Sequence, residues 1–188
     1  MELVLPLAPS IARAQCGISD EEAVWLEAAR RGEIAALDAL MNAHRGRILN
    51  LAFQILRDEC EAEDAAQETF VRAFSKLNSF RERSGFGTWL YRVALNVCLE
   101  RRRAWRETEA LSPELPAPAS AFEERLALEW ALDQLSEPHR IALILREWHG
   151  LSYEEMASAL GVPLGTVRSR LSAAREEFRR LWTQMEAE

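Results

Sequence analysis

The sequence of 188 residues is poor in glycine, proline and cysteine, and each shortage excludes a class of protein. With 8 glycines and 7 prolines, it has too few turn formers for a β-sandwich and too few helix breakers for a disordered chain. Its three cysteines, Cys16, Cys60 and Cys98, are widely spaced, which fits neither a disulfide framework nor a zinc site and indicates a reduced, cytoplasmic setting. No apolar run approaches the ~20 residues that span a bilayer, so we expect no membrane insertion.

The N-terminal stretch 1–20 lacks the features of a targeting sequence. It begins with Glu2 instead of basic residues, and Pro6 and Pro9 interrupt its short apolar run. Gln15 stands where a lipoprotein signal would need a small residue before the cysteine. We therefore interpret this stretch as a loose leader.

The abundant residues are strong helix formers: alanine, leucine, glutamate and arginine. Apolar residues recur at steps of three and four along most of the chain, and strand-like alternation is absent from the sequence. Patterns with the form of a capping box begin at Asp58 and at Ser152 and mark two helix starts. The sequence therefore predicts an all-α protein.

A proline-rich, acidic stretch divides this helical pattern. Residues 107–122, ETEALSPELPAPASAF, hold three prolines, several small residues and only acidic charge, which is typical of a flexible linker. We therefore predict two small helical domains, 21–106 and 123–188, joined by this linker.

Positive charge is concentrated in two segments, although the formal net charge is −7. Residues 81–106 contain seven basic residues against two acidic ones, and residues 161–180 contain five arginines against two glutamates. The stretch 107–155 between them is strongly acidic. An acidic protein can still bind nucleic acid where its cationic residues cluster, so both basic segments are candidate nucleic-acid surfaces.

The second basic segment has the spacing of a helix-turn-helix. A short helix at 153–160 and a turn at Gly161 precede a second helix that carries an apolar stripe on one side. Arg168, Ser169 and Arg170 would then project outward near the start of the second helix, where arginine can bind guanine in the major groove. The alternative is an ordinary helical hairpin with a solvated basic face.

The first basic segment is similar to a site for single-stranded nucleic acid. Phe80 and Phe86 flank a basic loop, and the helix that follows carries Trp89, Tyr91 and Asn96 and ends in arginines. Aromatic faces stack on unpaired bases for ~1–3 kcal/mol each, and arginines bind phosphates. Alternatively, Trp89 belongs to the apolar core, because it lies in an apolar row of its helix.

Three stretches make the chain similar to bacterial sigma factors of the extracytoplasmic-function (ECF) group. They are EDAAQETFVRAF (63–74), FRERSGFGTWLYRVALNVCLERRR (80–103) and LILREWHGLSYEEMASALGVPLGTVRSRLSAARE (143–176). The resemblance covers about residues 22–182 and implies that the two domains are sigma regions 2 and 4. It further implies a non-enzymatic transcription initiation factor without a cofactor, which binds core RNA polymerase and promoter DNA and is controlled by an anti-sigma factor.

The resemblance also implies site residues. Core polymerase would be contacted at the clamp helices of its largest subunit, by Asp64, Gln67, Glu68 and Phe70. The flap of the polymerase is a further expected contact. Contacts to the −10 strand fall to Phe80, Arg81, Phe86, Trp89, Arg92, Asn96 and Arg101. Contacts to the −35 element fall to Thr166, Arg168, Ser169, Arg170 and Arg175.

Two rival functions remain open from the residues alone. A one-component regulator with a helix-turn-helix output would bind duplex DNA by itself and hold a ligand pocket in its first domain. A DNA recombinase would need a nucleophile among arginines; Ser84 and Tyr91 are so placed, but no general base is evident. The histidines, His44, His139 and His149, are isolated in sequence, and we interpret them as surface or semi-buried side chains.

Overall fold

The computed structural model describes residues 19–81, 84–108, 128 and 130–186, and these are helical apart from short turns. The leader before residue 19 and the linker from residue 109 onward lie outside the described residues. Within the described ranges no β-strand occurs, and the predicted all-α class with two small helical domains is confirmed. None of the described helices is both long and apolar enough to cross a membrane.

The first domain consists of four helices around one apolar core. They are α1 (Asp20–Arg30), α2 (Ile34–Leu56), α3 (Glu59–Ser75) and α4 (Phe86–Thr108), with a 3-10 turn at Leu77–Ser79. The Asp58 carboxylate caps α3 by accepting a hydrogen bond from the Glu61 N–H, as the sequence predicts. The Glu61 side chain accepts from Arg101, so the return bond of the predicted capping box is not made. Helix α4 extends two residues into the stretch that was predicted to be linker.

Small side chains allow α2, α3 and α4 to pack closely. Helix α3 contacts both of the other helices, and its buried face is mainly alanine: Ala62, Ala65, Ala66 and Ala73. The neighbouring helices contribute larger side chains to the core, and Leu51 of α2 and Leu90 of α4 are fully buried. The arrangement fixes α3 and α4 side by side, with one face of each turned to solvent.

The second domain begins with α5 (130–134) and α6 (Glu137–Leu143), and a π-helical turn at Ile144–Trp148 continues α6. It is completed by α7 (Tyr153–Leu160) and α8 (Leu164–Glu186). The predicted capping box of α7 is present, because Ser152 Oγ accepts from the Glu155 N–H and Glu155 accepts from the Ser152 N–H. Gly161 ends α7 in the left-handed conformation, at φ 66°, which glycine adopts readily.

Helix α8 buries the apolar stripe that the sequence predicts, at Val167, Leu171, Ala174, Phe178 and Leu181. The predicted helix 138–148 differs from the structure, because its second half is the π turn. A π turn changes the direction in which successive side chains leave the helix and is often found at functional sites. Helix α7 also packs against α4, so the two domains are in contact.

Candidate nucleic-acid interface

The solvent face of α3 is polar and acidic. Asp64 and Gln67 are exposed on it, and Val71, one turn further, is 69% exposed although it is apolar. Positions three and four apart lie on the same side of a helix, so these three side chains form one surface. An exposed valine beside polar residues suits a surface that a protein partner covers.

Arg101 of α4 is held by carboxylates of α3. Its Nη1 donates to Glu61 Oε2 at 2.8 Å, and its Nη2 donates to Glu68 Oε2 at 3.0 Å. Burial by itself raises the pKa of Glu68, but hydrogen bonds from Arg101 and Arg72 outweigh this and hold the pKa below its usual value. The network ties α4 to α3 at the edge of the acidic surface.

The aromatic residues around the basic loop form a packed cluster. Phe86 is 0% exposed, Phe80 is 4% exposed, and their ring centroids lie 5.6 Å apart in an edge-to-face arrangement. Trp89 is half-buried against both rings, at 5.3 Å from Phe80 and 5.7 Å from Phe86. His44 of α2 closes the cluster from the other side, 5.3 Å from Phe86.

The exposed side of α4 next to this cluster carries polar residues. Arg92 and Asn96 are exposed and lie one turn apart, and the half-buried Trp89 precedes Arg92 by one turn. Arg81 is exposed at the start of the loop. Trp89, Arg92 and Asn96 thus offer aromatic, cationic and hydrogen-bonding groups on one side of α4.

Helix α8 carries a stripe of cations beside its buried face. Arg168, Ser172, Arg175 and Arg179 follow one another at steps of four, three and four, and they line an open groove together with Tyr153 of α7. Ser169 is exposed, while Thr166 and Arg170 are half-buried. Since each residue turns a helix by 100°, Arg170 lies about 200° around α8 from Arg168, on the opposite flank.

The contact between the domains is built on a buried histidine. The Tyr91 hydroxyl lies 2.9 Å from His149 Nδ1, and His149 Nε2 lies 3.0 Å from Gln54 Oε1. The amide oxygen of Gln54 can only accept, so Nε2 carries the proton and Nδ1 accepts from Tyr91. Burial, assisted by the positive charge of Arg47, lowers the pKa of His149 to about 4.

Two further contacts join the domains beside His149. Thr88 Oγ1 lies 3.4 Å from Glu155 Oε1, the carboxylate that also caps α7. The Arg92 guanidinium lies against the helix-turn-helix bend, because a Cβ on Gly161 would be 3.6 Å from Arg92 Nη2. The prediction that His44 and His149 are surface or semi-buried side chains was therefore wrong, because both are buried among hydrogen-bonding partners.

Two family models match the chain. One, described as Sigma-70 region 2, matches residues 40–108, and the other, described as Sigma-70, region 4, matches residues 125–178. The chain belongs to the sigma-70 family. The RNA polymerase sigma-H factor of Pseudomonas aeruginosa is 36% identical over 176 residues, which covers 84% of this chain and 91% of that protein. The ECF RNA polymerase sigma-E factor of Escherichia coli K12 is 33% identical, over 81% of this chain and 90% of that protein.

Two solved structures are similar in fold. The structure of CnrH in complex with the cytosolic domain of CnrY has a TM-score of 0.70 and 25% identity, and covers 88% of this chain and 99% of that chain. The structure of the sigma factor RpoE from Bartonella quintana, in complex with the anti-sigma factor NepR, has a TM-score of 0.65 and 26% identity. The match covers 78% of this chain and 96% of that chain. Recognition of the chain as an ECF sigma factor is thus confirmed.

Four site predictions for region 2 of this sigma factor need correction. Phe70 is 5% exposed and packs on Phe74, so it supports the α3 surface from beneath and does not form part of it. Phe80 and Phe86 are core side chains whose faces are covered by other rings and cannot receive a base in this arrangement. Arg101 is engaged by Glu61 and Glu68, so it is not a free phosphate ligand.

Region 4 of the sigma factor brings together residues that sequence reasoning missed. Tyr153 and Ser172 line the same groove as Arg168, Arg175 and Arg179, of which the sequence pattern places Arg175 and Arg179 toward phosphates. The three- and four-residue spacing of the stripe on α8 could have revealed Ser172. Tyr153 belongs to a different helix, and only the fold places it there.

Proposed function

We propose that this ECF sigma factor directs core RNA polymerase to promoters and contributes no catalysis of its own. The main support for the proposal is the cationic stripe of α8 in region 4. The stripe lies on the second helix of a helix-turn-helix, and the apolar residues of that helix are buried in the domain core. Arg168 near the N-terminus of α8 would bind base edges of the −35 element, and Arg175 and Arg179 would bind phosphates. The polymerase would make the RNA in the cytoplasm.

Region 2 would bind the polymerase through α3 and the −10 strand through the neighbouring helix α4. The exposed face of α3 around Asp64 and Gln67 is the proposed surface for the clamp helices. The proposed surface for the unpaired strand is the side of α4 around Trp89, Arg92 and Asn96, since it combines an aromatic edge with donors for bases and phosphates. An anti-sigma factor would control the protein, as the complexes of CnrH and of Bartonella quintana RpoE support.

Promoter binding would require the two regions to separate. The −10 and −35 elements lie about 25 base pairs apart, which is ~85 Å at 3.4 Å per base pair. In the described arrangement α4 touches α7, and Arg92 lies at the bend of the helix-turn-helix. We infer that binding to core polymerase holds the two regions apart, so that each can reach its element.

Run-off transcription with purified core polymerase across a promoter library tests the proposed function. We expect the protein to confer initiation at defined start sites that share a −10 and a −35 element. If it conferred none, and bound a duplex operator tightly without polymerase, a one-component regulator would be the better interpretation.

Arg168→Ala should weaken the preference for the correct −35 sequence by ~1–3 kcal/mol, because a bidentate arginine–guanine contact discriminates by about that amount. Arg170→Ala should have a smaller effect, since Arg170 lies on the other flank of α8. Competition binding of the holoenzyme to promoters with altered −35 bases measures both. Arg180→Ala, an exposed arginine further along α8, is the matched control. Equal losses in all three variants would contradict a specific role for Arg168.

Asp64→Arg and Gln67→Arg should each reduce affinity for core polymerase about tenfold or more, because each places a like charge or an unpaired cation in the proposed interface. Titration of labelled protein with core polymerase measures the change. Asp38→Arg, an exposed acid on α2, is the control and should bind normally. Unchanged affinity in the α3 variants would remove that face from the interface.

A further inference from the structure

An acidic residue outside the groove between α7 and α8 contacts one of the arginines that line it. Glu147, from the π turn, accepts hydrogen bonds through Oε1 from Arg175 Nη2 at 2.7 Å and from Arg175 Nε at 3.3 Å. Its carboxylate thus grips one edge of the guanidinium. These two bonds use Nε and Nη2 of the five N–H donors that a guanidinium carries on its three nitrogens.

The π turn supplies a second support to the same groove. Arg146, next to Glu147, lies with its guanidinium carbon 5.2 Å from the centroid of the Tyr153 ring. Arg146 Nη1 also donates to the Leu151 carbonyl at 2.8 Å, which fixes its own position. Tyr153 lines the same groove as Arg175, and Glu147 and Tyr153 both raise the pKa of the Arg175 guanidinium above its usual value. Arg175 is therefore held by Glu147 next to the Tyr153 side chain.

Two opposing effects decide what Glu147 does for DNA binding. Its negative charge would repel phosphates, but the groove is open to water, where such repulsion is weak. A free arginine side chain loses much rotational entropy when it binds, and a side chain fixed in advance avoids that loss. We expect the second effect to be the larger one, because Glu147 engages Arg175 through both Nε and Nη2.

We propose that Glu147 is a positioning residue, which fixes Arg175 so that region 4 presents a preformed phosphate-binding stripe with Arg168 and Arg179. This inference rests on the proposed reading of duplex DNA by α8. Because phosphates are the target, Glu147 would support affinity for any sequence and not the choice of base.

The test compares Glu147→Ala, which removes the acceptor, with Glu147→Gln, which keeps an acceptor oxygen and removes the charge. The holoenzyme with Glu147→Ala should bind a promoter duplex about three- to tenfold more weakly, the range for one immobilised side chain. The slope of log K against log salt should also become shallower by about 1. Glu147→Gln should retain most of the affinity, and Glu147→Ala should add little in an Arg175→Ala background.

Glu176→Ala is the matched control, since Glu176 lines the same groove and is paired with no arginine among the described residues. A readout without DNA is the NMR relaxation of Arg175 Nε in the full chain, which should show an ordered side chain in wild type and a mobile one in Glu147→Ala. Equal order in both would overturn the positioning role, as would tighter DNA binding by both Glu147 variants. A wild-type holoenzyme that bound no promoter duplex would instead overturn the proposed function, while the relaxation result would still stand.

Discussion

Phe86→Ala is expected to destabilise region 2 by about 3–5 kcal/mol, the usual cost of truncating a buried phenylalanine. The side chain is fully buried and contacts Phe80, Trp89 and His44, so no neighbour can fill the cavity without moving the start of α4. Urea unfolding followed by tryptophan fluorescence measures the change. Binding of core polymerase and of the −10 strand should fall together, because both depend on the folded domain.

Asn96→Ala separates this structural role from a direct role in strand binding. Asn96 is exposed on α4, and its truncation should leave stability within about 0.5 kcal/mol while it weakens binding of the unpaired −10 strand. If Phe86→Ala kept full stability and lost only strand binding, Phe86 would be an exposed base-stacking residue, as the sequence pattern first suggested.

The helix-turn-helix was predictable because its signals are local. The capping box from Ser152, the glycine turn at Gly161 and the apolar stripe of α8 each act within a few residues, so their spacing alone determines the structure. The aromatic cluster of region 2 was not predictable in the same way. Aromatic side chains suit both a core and a base-stacking surface, and the choice at Phe80 and Phe86 depends on His44 and Trp89, which the fold brings together.

Charge pairs were misread for a related reason. Arg101 and Arg175 are basic residues in basic segments, yet their partners Glu61 and Glu147 lie 40 and 28 positions away. Net charge along the sequence predicts where cations collect, but it does not reveal which cations are already engaged. Arg168, Arg92 and Asn96 are exposed and stay in the two proposed surfaces, whereas the sequence does not show which arginines are already paired.

His149 gives the clearest case of a residue whose environment comes from the other domain. Its partner Gln54 is 95 positions away, and Tyr91 is 58 away. No pattern within the second domain predicts that this histidine is buried, because the residues that cover it belong to α2 and α4. Its titration therefore reports directly on whether the two regions are packed together.

Acid should weaken the packing of region 2 against region 4 by about 3 kcal/mol between pH 6.5 and pH 4. That figure corresponds to the gap between the ordinary pKa of 6.5 and the value of about 4 that burial and Arg47 impose on His149. Below pH 6.5 a solvent-exposed histidine takes up a proton, whereas the buried one stays neutral until about pH 4. Falling pH thus favours the separated or unfolded state, and the full contribution is present above pH 6.5.

An NMR titration of the His149 ring measures this directly, and unfolding free energies across the same pH range measure its consequence. Carboxylates also titrate below pH 5, so the comparison is with His149→Gln, which should lack the histidine contribution and have a flatter pH profile. A His149 pKa near 6.5 in the free protein would mean that Tyr91 and Gln54 do not cover the ring in solution. The two regions would then already be apart before polymerase binds, and separation would cost the sigma factor nothing.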